Sequence, residues 1–377
     1  MSTDQFKLNP SQYTSNLRGR RELTRAWPST STSTWHNGGL FGSANVSYSV
    51  TSGSAATNDY VGDDGLNYRS LTFTSTSQIT FDQSTELEAL LIAGGGGGGG
   101  GGGDGSPPGG GGAGGYRVHG SGTMLAVTAG EGLTVTIGAG GAGAQGGTST
   151  GHGVVGGTTS ITVTSGGAVK STVLGGAGGK DGGNNAGVAA PTGGGSGSGA
   201  NANGLSGFVA GGAGAAYGTN GGNSRYTGSY PGYLSAGGGG GAGDQGNRIL
   251  SFTWPGTGPG STSLASSGEG EANNLRTGSN EYRGGGGSNV GVQFGYGSDG
   301  SFAMKGQQGV DFAGGGDGYT DWNIQNTSGV LGTTSEANAA ATANTGGGGG
   351  GVESDSSGVD AGPGGSGIVI IKIPYGN

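Results

Sequence analysis

Apolar and polar residues alternate in three stretches near the amino end, "NVSYSVTSG", "RSLTFTSTSQITF" and "ELEALLIAG", where β-branched and aromatic side chains take every second position. Period two over such short runs predicts β-strands with one buried face. The pattern returns in "TMLAVTAGEGLTVTIGAGG", in "TTSITVTSGGAVKSTVLGG" and, beside the carboxyl end, in "SGIVIIKIPYG". After residue 185 the strand signal fades. Glycine tracts continue at intervals, as in "TGGGSGSGA", "SAGGGGGAG", "YRGGGGSN", "NTGGGGGGV" and "AGPGGSG". The one helical signal is at the amino end, where Asn9 and Pro10 of "NPSQYTSNLRGRRELTRAW" occupy N-cap and first-turn positions.

Composition makes the tracts the central problem. The chain holds 103 glycines and 10 prolines, about 30% of its 377 residues, a level that usually signals low complexity. Disorder also calls for high charge and little apolar content, yet only 10% of residues are charged and 30% are hydrophobic. Collagen fails because no Gly-X-Y register is kept. Fixing a glycine backbone costs roughly 1–2 kcal/mol, so a run such as Gly94 to Gly103 folds only if something outside it supplies cohesion. An extended helix of three residues per turn, without internal hydrogen bonds, turns its N–H and C=O groups outward. Rods of that kind packed side by side bond one another on all sides. The tracts are thus expected to form one bundle joined by long loops.

Candidate chemistry is sparse. Gly141 to Gly146 spell G-x-G-x-x-G after a strand, but no helix pattern follows, as a dinucleotide site requires. "LGGAGGKD" lacks the first Gly of a phosphate loop and ends in Asp181 where Ser or Thr is needed. His36, His119 and His152 are far apart in sequence and read as isolated from acidic partners. Asp317 with Asp321 suggests a calcium turn, without the calcium-roll repeat. These readings imply no catalytic residue, no metal and no cofactor. There is no cysteine, hence no disulfide framework. A net charge of −8 disfavours nucleic acid as partner. Neither a signal peptide nor a transmembrane segment is expected.

The quoted strands and "GGAGGYRV", "VTAGEGLTVTIGAGGAG" and "GGSGIVIIKIP" together resemble the glycine-rich domain of bacteriophage virion proteins, common in marine and cyanobacterial phages. The recurrent tracts are also similar in architecture to the polyglycine sandwich of tail-fibre tip adhesins. The resemblance implies a fold that is mostly irregular and all-β: an N-terminal strand region plus a bundle of polyglycine II helices. It further implies a virion surface protein made in a bacterial cytoplasm, either a monomer or a homotrimer. Three segments follow: a docking arm at 1–44, a strand region at 45–92, and a glycine-rich domain at 93–377 with aromatic loops at 217–345. In the arm, Arg18, Arg20, Arg21 and Arg25 form a basic segment in an acidic chain, the candidate attachment to other virion proteins. In the loops, Tyr217, Tyr226, Tyr230, Tyr233, Phe252, Trp254, Tyr319 and Trp322 are candidate receptor contacts, for a bacterial surface glycan or an outer-membrane protein. Their alternative role is to cover glycine rods. A structural decoration or spike without a receptor, and an ice-binding protein, are the competing function classes.

Overall fold

A computed structural model describes residues 45–101, 108–120, 122–145, 151–181, 195–199, 207–227, 233–246, 267–288, 290–294, 301–305, 313–317, 319–320, 340–353 and 360–376. The first strands are β1 (Tyr48–Ser52), β2 (Ala56–Val61), β3 (Asn67–Phe73), β4 (Ser77–Phe81) and β5 (Thr85–Ile92). A two-residue β6 (Gly100–Gly101) precedes β7 (Tyr116–His119), β8 (Leu125–Val127), β9 (Gly132–Thr136), β10 (Thr159–Val163) and β11 (Val169–Val173). Further along come β12 (Gly207–Val209), β13 (Ser224–Thr227), β14 (Tyr233–Ser235), β15 (Glu271–Asn273), β16 (Glu281–Arg283), β17 (Val290–Phe294) and β18 (Ser301–Lys305). The last are β19 (Tyr319–Thr320), β20 (Val352–Glu353) and β21 (Ile368–Pro374). The described residues contain no α-helix. The fading of strand signals after residue 185 is therefore corrected: β12 to β20 are short strands whose period-two runs are too brief to stand out.

Two antiparallel sheets carry the alternating stretches, one ordered β1-β4-β9-β10-β11 and the other β2-β3-β21-β5-β7, with β8 also on β5. Phe73, Leu87, Leu91, Val369 and Ile371 of the second sheet pack with Ile79, Phe81, Leu133, Val135, Ile161 and Val173 of the first in one core. Strand β5 is buried on both faces: Leu90 and Ile92, with Ile368 and Ile370, meet Leu275 from the β15–β16 hairpin. This explains why "ALLIAG" reads as a continuous apolar run rather than an alternation.

Each glycine tract beside this sandwich is a strand prolonged. Residues 94–101 follow β5, 138–145 follow β9 and 175–181 follow β11, while 108–115, 151–157 and 361–367 lead into β7, β10 and β21. Strand order is inherited by the tracts. Gly95 donates to Gly365 and Gly96 to Gly112, as β5 lies between β21 and β7, and Val154 and Gly153 donate to Ala142 and Gly179, as β10 lies between β9 and β11. The order of strands in the two sheets is thus the order of the tracts that extend them.

The tract 94–101 shows how the layers cohere. Gly94, Gly97 and Gly100 donate to Gly157, Val154 and Gly151; Gly95 and Gly98 to Gly365 and Gly362; Gly96 and Gly99 to Gly112 and Gly109. Its carbonyls accept with the same step of three: Gly94 and Gly97 from Gly176 and Gly179, Gly95 and Gly98 from Gly141 and Ala144, Gly96 and Gly99 from Gly349 and Val352. Every third residue addresses the same neighbour, so one tract serves three antiparallel acceptors and three parallel donors, at N···O distances of 2.7–3.1 Å. A Cβ on any of Gly94 to Gly99 would stand 1.9–2.1 Å from a neighbouring backbone oxygen, far inside the 3.5–4.0 Å of ordinary contact. Side chains reappear where neighbours run out. Tract 138–145 bonds to 94–101, 151–157 and 361–367, and its Ala139, Ala142 and Gln145 stand exposed.

Candidate functional site

The bundle has two poles, and the hydrogen bonds identify them. Tract 108–115 ends at β7 in the sandwich, and Gly110 and Ala113 donate to Gly237 and Gly240. Tract 236–243 thus runs parallel to it, which puts β14, just before residue 236, at the pole away from the sandwich. Strands β12, β13, β14, β17 and β18 form one five-stranded antiparallel sheet in that order. Strand β19 joins the same pole, because the parallel sheet β19-β20-β6 ends on Gly100 and Gly101. Residue 45 is at the opposite pole: Val46 N–H donates to the Pro374 carbonyl, and the Asn45 amide oxygen accepts from Gly376 N–H.

The candidate aromatics divide along this axis. Tyr226, Tyr233 and Tyr319 lie in β13, β14 and β19, so the expectation that Tyr233 belongs to an irregular loop is corrected. Tyr226 pairs with Leu234, and Tyr233 with Thr227 and Gln293. Tyr217 is at the sandwich pole. It is half-buried against the main core, its carbonyl accepts from Tyr116 N–H at 2.9 Å, and the Arg117 guanidinium lies 5.2 Å from its ring. Tyr230, Phe252, Trp254 and Trp322 fall outside the described residues, as do Arg18, Arg20, Arg21, Arg25 and His36.

The motifs that imitate nucleotide sites are used up by the bundle. Within Gly141 to Gly146, the N–H groups of Gly141 and Ala144 donate to Gly95 and Gly98. Amides already bonded inside a lattice are not available to a phosphate.

Two histidine contacts were not legible in sequence. His119 is 4% exposed; its Nδ1 lies 2.8 Å from the Thr123 carbonyl oxygen and its Nε2 2.7 Å from Ser171 Oγ. A carbonyl only accepts, so Nδ1 carries the proton and Nε2 accepts from the serine hydroxyl. Burial holds the imidazole below the usual histidine pKa, while the Thr123 bond pulls upward and Arg117 adds to the lowering. Ser171 is itself 2% exposed, so this serine–histidine pair ties β7 of one sheet to β11 of the other. His152, expected to be isolated from acids, instead has Nδ1 3.5 Å from Asp181 Oδ1, and Asp181 N–H points at the same nitrogen from 3.3 Å. The partner comes from the next tract, 29 residues on, which no local pattern signals.

An ionic group pins the hairpin that covers β5. Glu281 accepts from Arg276 and, at 2.9 Å, from Arg283, whose side chain is 10% exposed. These guanidinium bonds hold the Glu281 carboxyl below the usual range despite partial burial. Among the described residues, no cluster of three metal-ligating side chains occurs and no helix is long and apolar enough to cross a membrane.

Comparison with known proteins agrees with the composition. A family model described as a glycine-rich domain matches residues 71–301, well over half of the chain. No characterised protein matches it.

Proposed function

The chain belongs to the glycine-rich domain family, and from that premise we propose that it is a phage virion surface protein, a tail-fibre or tail-tip adhesin whose glycine tracts are polyglycine II helices. The three-residue step of the bonds from Gly94 to Gly100 supports that helix type, which has three residues per turn. At a rise of about 3.1 Å, the eight residues of 94–101 make a rod of roughly 25 Å. The virion setting rests on the resemblance of the strand and glycine motifs.

The observation that carries the receptor role is the polarity of the bundle. The chain leaves its N-terminal segment at the sandwich pole, while the strands bearing Tyr226, Tyr233 and Tyr319 collect at the other. A basic arm containing Arg18, Arg20, Arg21 and Arg25 would attach there to other virion proteins, leaving the aromatic pole directed at a bacterial surface glycan or outer-membrane protein. A rod bonded on every side loses little ordering entropy on binding, which favours aromatic recognition at its tip. No catalytic step, cofactor or nucleic-acid partner belongs to this reading. Tyr217, packed on the core, fills a covering role instead.

Immuno-electron microscopy of virions tests the proposal. Label at the tail tip, together with adsorption blocked by the purified protein, is the expected result; label over the capsid would return the protein to a structural decoration.

A further inference from the structure

The β15–β16 hairpin lies across the outer face of the sheet that holds β5, and two buried polar groups enter the layer between them. Arg283 and Glu281 share one face of β16, while Tyr282 between them is 44% exposed, so the Arg283 side chain points inward. Tyr116 comes from the sheet. It is paired with Ile92 in the β5–β7 ladder and packs against the cluster of Leu90, Ile92 and Leu275. Gly284, the residue after Arg283, brings the two close, since a Cβ built on it would lie 3.9 Å from Tyr116 Cδ2.

In that layer the Tyr116 hydroxyl and Arg283 Nη1 are both buried and, among the described residues, have no hydrogen-bond partner. The other arm of the guanidinium is held: Nη2 donates to Glu281 at 2.9 Å, and the Arg283 side chain is 10% exposed. A buried donor left unpaired carries the full cost of its desolvation, so two in one place call for a ligand that serves both.

The donor set selects the ligand. A water there would need acceptors for its own protons; Nη1 offers none and the hydroxyl one, whereas an anion needs donors alone. Charge agrees. Arg276 and Arg283 share the single carboxylate of Glu281, which leaves this ionic group with one positive charge, and Glu271, opposite Arg283 in the ladder, is exposed. The Arg283 charge reaches the Tyr116 hydroxyl: burial and then Glu271 raise its pKa, and Arg283 pulls against them. Both atoms are sealed from solvent, and Ala242 Cβ lies 3.0 Å from where a Cβ on Gly284 would stand. Such close walls suit an ion of one atom rather than a carboxylate or a phosphate group.

We propose that Tyr116 and Arg283 bind a halide ion, chloride under physiological conditions, which fastens the β15–β16 hairpin to the sheet beneath it. The site is independent of the receptor reading above.

Melting of the full-length protein in sodium chloride, sodium bromide and sodium gluconate at equal ionic strength tests this, with bromide located in crystals by anomalous diffraction. Wild type should rise by about 5 °C in chloride and bromide but not in gluconate, the rise levelling towards about a hundredfold excess of ion over its dissociation constant. Tyr116→Phe removes the unpaired hydroxyl, so it should melt at or above wild type in gluconate and below it in chloride. A merely structural tyrosine would not reverse between salts. Arg283→Lys keeps a charge beside Glu281 and should lose the halide response, and bromide density should touch both Tyr116 Oη and Arg283. Equal melting in chloride and gluconate, a full chloride response in Tyr116→Phe, or a water between the two groups in bromide crystals overturns the proposal. Bromide density without a melting shift marks an adventitious ion only and overturns it as well. Should either variant fail to fold, the wild-type salt series and bromide density decide.

Discussion

Replacing Gly98 by alanine is the sharpest test of the glycine bundle. The added Cβ would stand 1.9 Å from the Gly350 carbonyl oxygen, 2.4 Å from its carbon and 2.9 Å from Gly351 N. Both neighbours are backbone, so no side chain can turn away, and tract 346–351 must retreat by more than 1 Å to reach about 3.5 Å contact. That movement breaks bonds on both sides, among them Gly349 N–H to Gly96 and Gly362 N–H to Gly350. Two lost bonds at about 1 kcal/mol each, with buried groups left unpaired at about 1–3 kcal/mol each, give a cost of roughly 4–8 kcal/mol. Alanine's smaller unfolded-state entropy offsets only about 0.4–1 kcal/mol of this. Gly120 is the control, since the one atom near its added Cβ is Val118 Cγ1 at 3.9 Å. Thermal unfolding, with amide exchange followed across 94–101, is the assay. Gly98→Ala should melt far below Gly120→Ala and exchange fast along the tract, and Gly98→Val should be worse. Equal melting of Gly98→Ala and Gly120→Ala would mean that the tract is a solvated linker and that the lattice contributes no stability.

Three further outcomes are expected. His119 has a folded pKa below its unfolded one, so the unfolded chain binds the proton first; stability is full above about pH 6.5 and falls as pH drops below it, and His119→Gln should flatten that slope in melts from pH 7 to 5. Glu281 is likewise depressed, with Arg276 the main cause, so its stabilisation is present above its unfolded pKa of about 4.3 and is lost on acidification; Glu281→Gln, which strands the buried Arg283, should cost about 3 kcal/mol at pH 7 by denaturant titration. Leu275→Ala removes the cover over Leu90 and Ile370 and should cost about 2–4 kcal/mol, with exchange rising first in β5 and β21 rather than in β9 and β10.

Much of this architecture is written in local pattern, because strand alternation and glycine content are properties of neighbouring residues. Period two located β3, β4, β5, β9, β10, β11 and β21, and the absence of side chains from 94–101 required that other backbones surround it. The neighbours of a glycine are a different matter. A tract without side chains carries no information on which other tract it meets, and every third N–H of 94–101 is chemically the same. That choice is made by the sandwich, which sets β21, β5 and β7 side by side and passes the order on to the tracts that extend them. The same holds for single residues. His152 meets Asp181 and His119 meets Ser171 only because adjacent tracts and facing sheets bring together positions 29 and 52 residues apart. Likewise Tyr217 and Tyr226, nine positions apart in equally glycine-rich sequence, stand at opposite poles because tract 219–223 runs from the sandwich to the far sheet between them. Local chemistry determined that the glycine tracts pack on other backbones; the long-range pairing of strands decided their order, and with it at which pole the strands carrying Tyr226, Tyr233 and Tyr319 lie.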